Sequence, residues 1–349
     1  MEGGRPAEAV RASLWRDWRG GPDVHCFLCA HHCRVLPGER GLCGVRENRD
    51  GVLYTLVYGR PVSLAVDPIE KKPLFHFLPG SLSLSLATVG CNFTCAFCQN
   101  ADISQMPRDQ GRITGRFVPP EQVVEAALRA GCLSISYTYT EPTVFYEYAR
   151  DCARLAVQAG LKNVFVTNGY MTKETLGDID GRLHAANVDL KSFSDEFYRT
   201  QAGARLKPVL DSIRRLWEMG VWLEVTTLLI PGLNDREAEL RALTQFLASV
   251  SPDIPWHVSR FHPTYRLLDA APTPVSSIER ALRLGREAGL HYVYGGNVAG
   301  HSSESTVCPG CGESLIERRG FSLGRINVKD GRCPRCGLEI AMRPREAQE

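Results

Sequence analysis

Cys91, Cys95 and Cys98 stand in the run Cys-Asn-Phe-Thr-Cys-Ala-Phe-Cys, directly behind the apolar stretch Leu82 to Val89. A zinc ion or an ordinary electron-transfer cluster takes four protein ligands, so three close thiolates point to a four-iron four-sulfur (4Fe-4S) cluster with one iron left free of protein. An iron with a vacant position is a place to do chemistry.

Two further cysteine groups flank this one. Near the C-terminus, Cys308-Pro-Gly-Cys311-Gly and Cys333-Pro-Arg-Cys336-Gly form two knuckles around a strand-like segment, the pattern of a zinc ribbon, with a rubredoxin-like iron site as the alternative. Near the N-terminus, Cys26, Cys29, Cys33 and Cys43 give C-x2-C-x3-C-x9-C, which closes a site around zinc, the expected occupant, or around a second, fully ligated cluster. Cys132 and Cys152 lie outside the groups and read as small buried hydrophobes. Most of the thirteen cysteines thus fall at ligand spacing, and Met1 to Gly21 carries charges and glycines where an export signal has an apolar core, so the expected location is the reducing cytoplasm.

The elements that must hold the central triad begin at about Leu82. Strands are expected at Leu82–Gly90, Leu133–Thr138, Asn163–Thr167, Asn187–Lys191, Trp222–Ile230, Trp256–Arg260 and Tyr292–Tyr294, with amphipathic helices between them and Gly131, Gly160, Gly220 and Gly289 just past four of these. Such alternation is that of βα units around a parallel sheet. Their number, with no G-x-G-x-x-G after the first strand, favours an α/β partial TIM-like barrel whose active site lies at the C-terminal strand ends. The expected division is an N-terminal four-cysteine module over 1–65, the barrel over 66–300 and a C-terminal zinc ribbon over 301–349. A net charge of +2 gives no reason to expect nucleic acid or an acidic membrane as principal partner.

With Phe97 just before the last cysteine, the C-x3-C-x2-C spacing resembles the signature of the radical S-adenosylmethionine (SAM) superfamily. The resemblance implies a (βα)6 radical SAM barrel in which the methionyl amine and carboxylate of SAM chelate the open iron. One electron from the cluster then splits the sulfonium into methionine and a 5′-deoxyadenosyl radical. It also implies cofactor contacts: Phe97 in the cluster loop, Thr140 and Glu141 in Tyr139-Thr-Glu-Pro142 where relatives have a Gly-Gly-Glu-Pro turn, Asn168 in an Asn-Gly turn, the Asp189-x-Lys191 pair, and Thr226 in the strand that ends Ile230-Pro-Gly-Leu-Asn234-Asp235. Both glycines of the first motif are absent here. His257, Arg260, His262 and Tyr265, at the sixth strand and the loop leaving it, are candidates to orient substrate or cofactor, with His262 the assigned cofactor contact.

The stretches Val66–Gly80, Gly90–Asn100 and Tyr292–Val298 resemble the radical SAM enzymes of the AmmeMemoRadiSam system, related to pyruvate formate-lyase activating enzymes. That resemblance implies AMMECR-like and Memo-like partners, a one-electron donor such as flavodoxin or ferredoxin, and an unidentified substrate, a protein glycine or a small metabolite. Glu70, Lys71, Lys72 and His76 either reach the active site or form an exposed charged loop. The competing reading is a non-catalytic zinc or iron-sulfur module that contacts RNA or protein through the basic ribbon residues Arg318, Arg319, Arg325, Lys329, Arg332 and Arg335.

Overall fold

The computed structural model describes residues 9–298 and 302–345. Residues 1–8, part of the stretch read for an export signal, lie outside the described residues, as do 301 and 346–349 at the ends of the expected ribbon module.

The main sheet has eight strands: β1 Ser63–Pro68, β2 Leu82–Ala87, β3 Ser134–Tyr137, β4 Lys162–Thr167, β5 Ala185–Asp189, β6 Trp222–Leu229, β7 Trp256–Arg260 and β8 Val293–Gly296. They lie side by side in chain order; β2 to β8 are parallel and β1 is antiparallel to β2. All seven expected strands are present. β1 is an addition: its polar Asp67-Pro68 end breaks the apolar pattern by which the others are recognised. Among the described residues the edge strands β1 and β8 each pair on one side only.

Helices α1 Pro120–Arg129, α2 Tyr146–Gln158, α3 Lys173–Ile179, α4 Leu206–Glu218, α5 Glu237–Val250 and α6 Val275–Glu287 connect the parallel strands. α4 shows why they pack. Leu206, Val209, Ile213 and Leu216 recur at helical spacing and are all buried, while the charged positions between them face out. The four helix-ending glycines take positive φ, as a left-handed C-terminal residue requires.

One face of the sheet is apolar and the other is not. In β2, Leu84 and Leu86 pack into the main core, whereas Ser83 and Ser85 point to the opposite face, where Ser83 Oγ meets Ser136 Oγ of β3 at 2.6 Å and Ser85 donates to Asp67 of β1 at 2.6 Å. Register continues this polar face through Asn187 and Asp189 of β5, Glu224 and Thr226 of β6 and His257 of β7. Buried polar groups are costly unless hydrogen-bonded, so this inner face demands partners.

At its lower, N-terminal end the partner is the segment 69–78. Ile69, Leu74, Phe77 and Leu78 form a buried cluster with Val164, Ala185 and Trp222. Glu70, Lys72 and His76 are also buried, so the exposed-loop alternative fails for three of the four residues; only Lys71 is substantially exposed. Glu224 fixes the segment, accepting from Phe75 N at 2.9 Å, His76 N at 2.8 Å and Trp222 Nε1 at 3.0 Å, with His257 Nε2 at 2.7 Å. The C-terminal residues dock on the same segment: Arg318, buried, donates to Phe75 O at 2.6 Å, and His76 lies between Ala341 O (2.7 Å) and Tyr294 Oη (2.5 Å).

His76 makes this junction sensitive to acid. Burial pulls its imidazolium down to about 4, against the opposing attraction of Glu224, with Arg318 and His257 adding to the fall. The unfolded chain, where the ring titrates near 6.5, therefore binds more protons between these values, and stability is lost as pH drops through that window. Unfolding free energy from urea titrations should fall by about 2 kcal/mol from pH 7.5 to pH 5, and His76→Phe should flatten that slope. An unchanged slope in the variant contradicts the assignment.

Candidate active site

The loop Gly90–Asn100 leaves the C-terminal end of β2, where a parallel α/β sheet presents its functional residues. Three other strand ends hold it. Beyond β4, Asn168 Nδ2 donates to Asn92 Oδ1 at 2.7 Å and stands 3.9 Å from Cys91 Sγ, which also accepts from Phe93 N at 3.4 Å. Beyond β5, Ala202 O and Gln201 O accept from Thr94 N and Ala96 N at 2.9 and 3.0 Å; beyond β7, Arg266 N donates to Ala96 O at 3.0 Å. Cys98 Sγ lies 3.1 Å from Ser104 Oγ in the short helix Ala101–Ser104.

The three thiols share one loop without crowding onto a single point. Among the described residues, Cys308, Cys311, Cys333 and Cys336 are the one set of three or more His, Cys, Asp or Glu side chains whose ligand atoms all lie within 4.8 Å of one another. Cys91, Cys95 and Cys98 stand wider, which suits a cluster whose irons each take one sulfur. Burial raises the Cys95 thiol to about 12, partly offset by Lys191, so cluster binding must displace thiol protons.

Around the loop, Phe97 is buried against Phe197, ring centroids 5.7 Å apart, and Lys191 Nζ lies 5.7 Å from its centroid. Lys191 Nζ pairs with Asp189 Oδ2 at 3.0 Å; burial opposes its charge, but Asp189 and Cys95 outweigh it and hold the ammonium protonated. Thr140 donates to Thr88 O at 2.9 Å. Glu141 Oε1 accepts from Thr143 N, Thr143 Oγ1 and Thr167 Oγ1, and Oε2 from Asn168 N at 2.8 Å. The carboxylate therefore caps the turn Pro142–Phe145 and ties β3 to β4, with one lone pair of Oε2 remaining. Burial raises it above the usual carboxylate range despite these donors.

Thr226 Oγ1 and Asn187 Oδ1, both on the polar inner face, are buried without hydrogen-bond partners among the described residues. Thr226 stands opposite Asp189 in register, so its orphaned hydroxyl beside that carboxylate fits a polar ligand such as the amine or ribose hydroxyls of SAM, whereas Asn187 is turned to the lower segment, its Nδ2 donating to Pro73 O at 2.8 Å. His262 is exposed and lines a cleft that it shares with His257 and Ser259 of β7, Phe75 of the segment 69–78, Tyr294 of β8 and the hairpin Ser314–Arg319 and Ser322–Ile326. Its strand ends at Arg260, so the period-two alternation that turns His257 inward no longer applies to it. Arg260 donates to Thr273 O and Tyr265 to Asp109, both structural contacts.

Chain residues 85–243 match the family model described as the radical SAM superfamily. An uncharacterized protein of Methanocaldococcus jannaschii is 48% identical over 334 residues, covering 95% of this chain and 99% of its own length. The chain belongs to the radical SAM superfamily. A second protein of that organism, provisionally named a glycyl-radical enzyme activating enzyme, is 24% identical over 184 residues, 51% of this chain and 67% of its own length. The crystal structure of a radical SAM methyltransferase from Sphaerobacter thermophilus superposes with a TM-score of 0.51 at 18% identity, covering 68% of this chain and 71% of that one, a likeness of fold alone. The radical SAM protein is an enzyme, which overturns the reading as a non-catalytic module. The basic C-terminal side chains are also partly committed: Arg318 is buried, Arg332 lies 3.6 Å from Glu339 and Arg335 lies 3.9 Å from Glu313. Among the described residues no helix is long and apolar enough to cross a membrane.

Sequence reasoning offered Lys71 and Lys72 as candidates to reach the active site but missed the carboxylate that gathers them. Asp67 accepts from Lys71 Nζ (2.7 Å), Lys72 Nζ (2.8 Å), Ser85 Oγ and Tyr139 Oη, and Lys72 lies 4.4 Å from the Tyr139 ring centroid. Tyr139 has φ +64°, a conformation costly for an aromatic residue and characteristic of functional sites. Burial lowers Lys72 to about 8. The available signal was the paired polar residues inside strands β1 and β2.

Proposed function

We propose that the enzyme holds a 4Fe-4S cluster on Cys91, Cys95 and Cys98 and cleaves SAM reductively. When bound, that cluster supplies the electron that splits the sulfonium and yields a 5′-deoxyadenosyl radical, which takes a hydrogen atom from the substrate. The observation that carries the reading is the three-thiol loop at the strand ends from which the Asp189-Lys191 pair and the unpartnered Thr226 hydroxyl also come. Asn168 steadies Asn92 and Cys91; the Asp189-Lys191 pair and Thr226 face the cofactor's polar groups; Phe97 packs behind the loop; Glu141 holds the Thr140 turn in place. The inner face with β1 unpaired on its far side fits a partial (βα)6 barrel. Incubation of the anaerobically reconstituted protein with dithionite and SAM should release 5′-deoxyadenosine; a fully loaded cluster that releases none refutes the proposal.

The substrate reading we favour is a glycyl-radical type protein, supported by the M. jannaschii relative of that name, within an AmmeMemoRadiSam-type system with AMMECR-like and Memo-like partners. A flavodoxin or ferredoxin would supply the electron, and the cytoplasm would keep the thiols reduced. A stable glycyl radical seen by electron paramagnetic resonance on mixing with a candidate partner supports this; turnover of a small metabolite alone opposes it.

For the C-terminal quartet we propose zinc in a ribbon. Cys308 and Cys336 sulfurs stand 3.6 Å apart and Cys311 and Cys333 sulfurs 3.7 Å, the separation expected around one tetrahedral ion with Zn–S near about 2.3 Å. So small a module depends on its metal. Chelation should remove one zinc per chain and open residues 306–342 to limited proteolysis, while an unchanged digestion pattern after zinc loss contradicts the role.

A further inference from the structure

Cys26, Cys29, Cys33 and Cys43 line one small cavity, closed by Leu28 and Val144. The backbone draws them together: Cys26 N donates to Cys33 O at 2.9 Å, and Arg46 Nη1 reaches Cys26 Sγ at 3.5 Å. Arg46 is itself buried and paired with Glu147 of α2, so a cation is fixed beside the thiols with no freedom to leave.

The other two cysteine groups of this protein provide scales. The C-terminal quartet gathers its sulfurs within 4.8 Å, as ligands of a single ion do. In the N-terminal quartet no three sulfurs come that close, although all four face the same cavity; in this they behave like Cys91, Cys95 and Cys98. Chain spacing points the same way. Zinc ribbons supply ligands two plus two, as Cys308 with Cys311 and Cys333 with Cys336 do, whereas ferredoxin-type clusters take a close run of three with a distant fourth, the arrangement of Cys26, Cys29 and Cys33 with Cys43.

We propose that Cys26, Cys29, Cys33 and Cys43 hold a second iron-sulfur cluster in place of the zinc that the sequence favoured. All its irons are protein-ligated, so the site offers no substrate position; the hydrogen bond from Arg46 to sulfur is of the kind that tunes a cluster's potential. It abuts the first cluster's loop. His31 Nε2 lies 2.8 Å from Asn92 O, and a Cβ on Gly90, which has φ +103°, would stand 3.3 Å from Cys43 O and 2.6 Å from Val45 Cγ1.

The test is elemental analysis of protein made with iron and zinc both available and purified without oxygen, as wild type and with Cys91→Ala, Cys95→Ala and Cys98→Ala combined. The triple variant should keep about two or four irons per chain with equal sulfide, beside one zinc, and adding Cys29→Ser and Cys33→Ser should remove that iron. A triple variant without iron, with or without a second zinc, overturns the proposal. If the triple variant does not fold, the wild type decides: iron clearly above about four per chain with matching sulfide supports a second cluster, and about four irons with two zincs refutes it.

Discussion

Replacing any one of Cys91, Cys95 or Cys98 by alanine should lower 5′-deoxyadenosine formation more than about a thousandfold, a loss of about 4 kcal/mol in transition-state stabilisation. The size follows from geometry. Each thiol comes from the same short loop and carries its own neighbours, Phe93 N and Asn168 at Cys91 and Ser104 at Cys98, so no nearby group substitutes for a missing sulfur. Two thiolates would not hold a cluster that needs three, and the cofactor would then lack both its binding position and its electron source. Iron, sulfide and product are measured together under anaerobic conditions. Cys132→Ala, at a buried cysteine outside all three groups, is the control and should retain cluster and product. Wild-type turnover in a Cys91→Ala protein contradicts the assignment.

The largest effect on stability is expected at Glu224. Its carboxylate is fully buried and accepts from two backbone amides, the Trp222 indole and His257, joining the inner face of β6 to the segment 69–78. Glu224→Ala leaves four buried donors without an acceptor, each costing about 1–3 kcal/mol unless water enters. A net loss above about 4 kcal/mol in urea unfolding is expected, at the diagnostic end of single substitutions. Glu224→Gln keeps one acceptor of similar shape and should cost less than half as much. A change below about 1 kcal/mol in the alanine variant contradicts the hub. Because Phe75 and His76 also receive the C-terminal residues, loosened docking of 306–342 should accompany the loss.

Seven strands and six helices were legible because each carries its own local period, and the glycines after four helices marked their ends. Two features were hidden for physical reasons. Ser83 and Ser85 sit in what reads as an apolar run, yet strand alternation turns them to a face of opposite character, visible only once β1 and β3 supply Asp67 and Ser136 as partners. Glu224 likewise lies between apolar neighbours, and its four donors come from residues remote in sequence or turned toward it only by the fold. The C-terminal cysteines were legible as a possible metal group because each of their two pairs is local in sequence. Which metal a four-cysteine group would take was not legible, since four thiolates satisfy zinc and a cluster alike. The direction of His262 was not legible because it follows its strand, where alternation no longer predicts direction.

The most direct test of the central claim is electron-nuclear double resonance on the reduced, reconstituted protein with SAM labelled at its methionyl amine and carboxylate. Hyperfine coupling from both labels to the cluster, lost in Cys91→Ala, is the predicted result. Reduced protein in which no cluster couples to either label contradicts it.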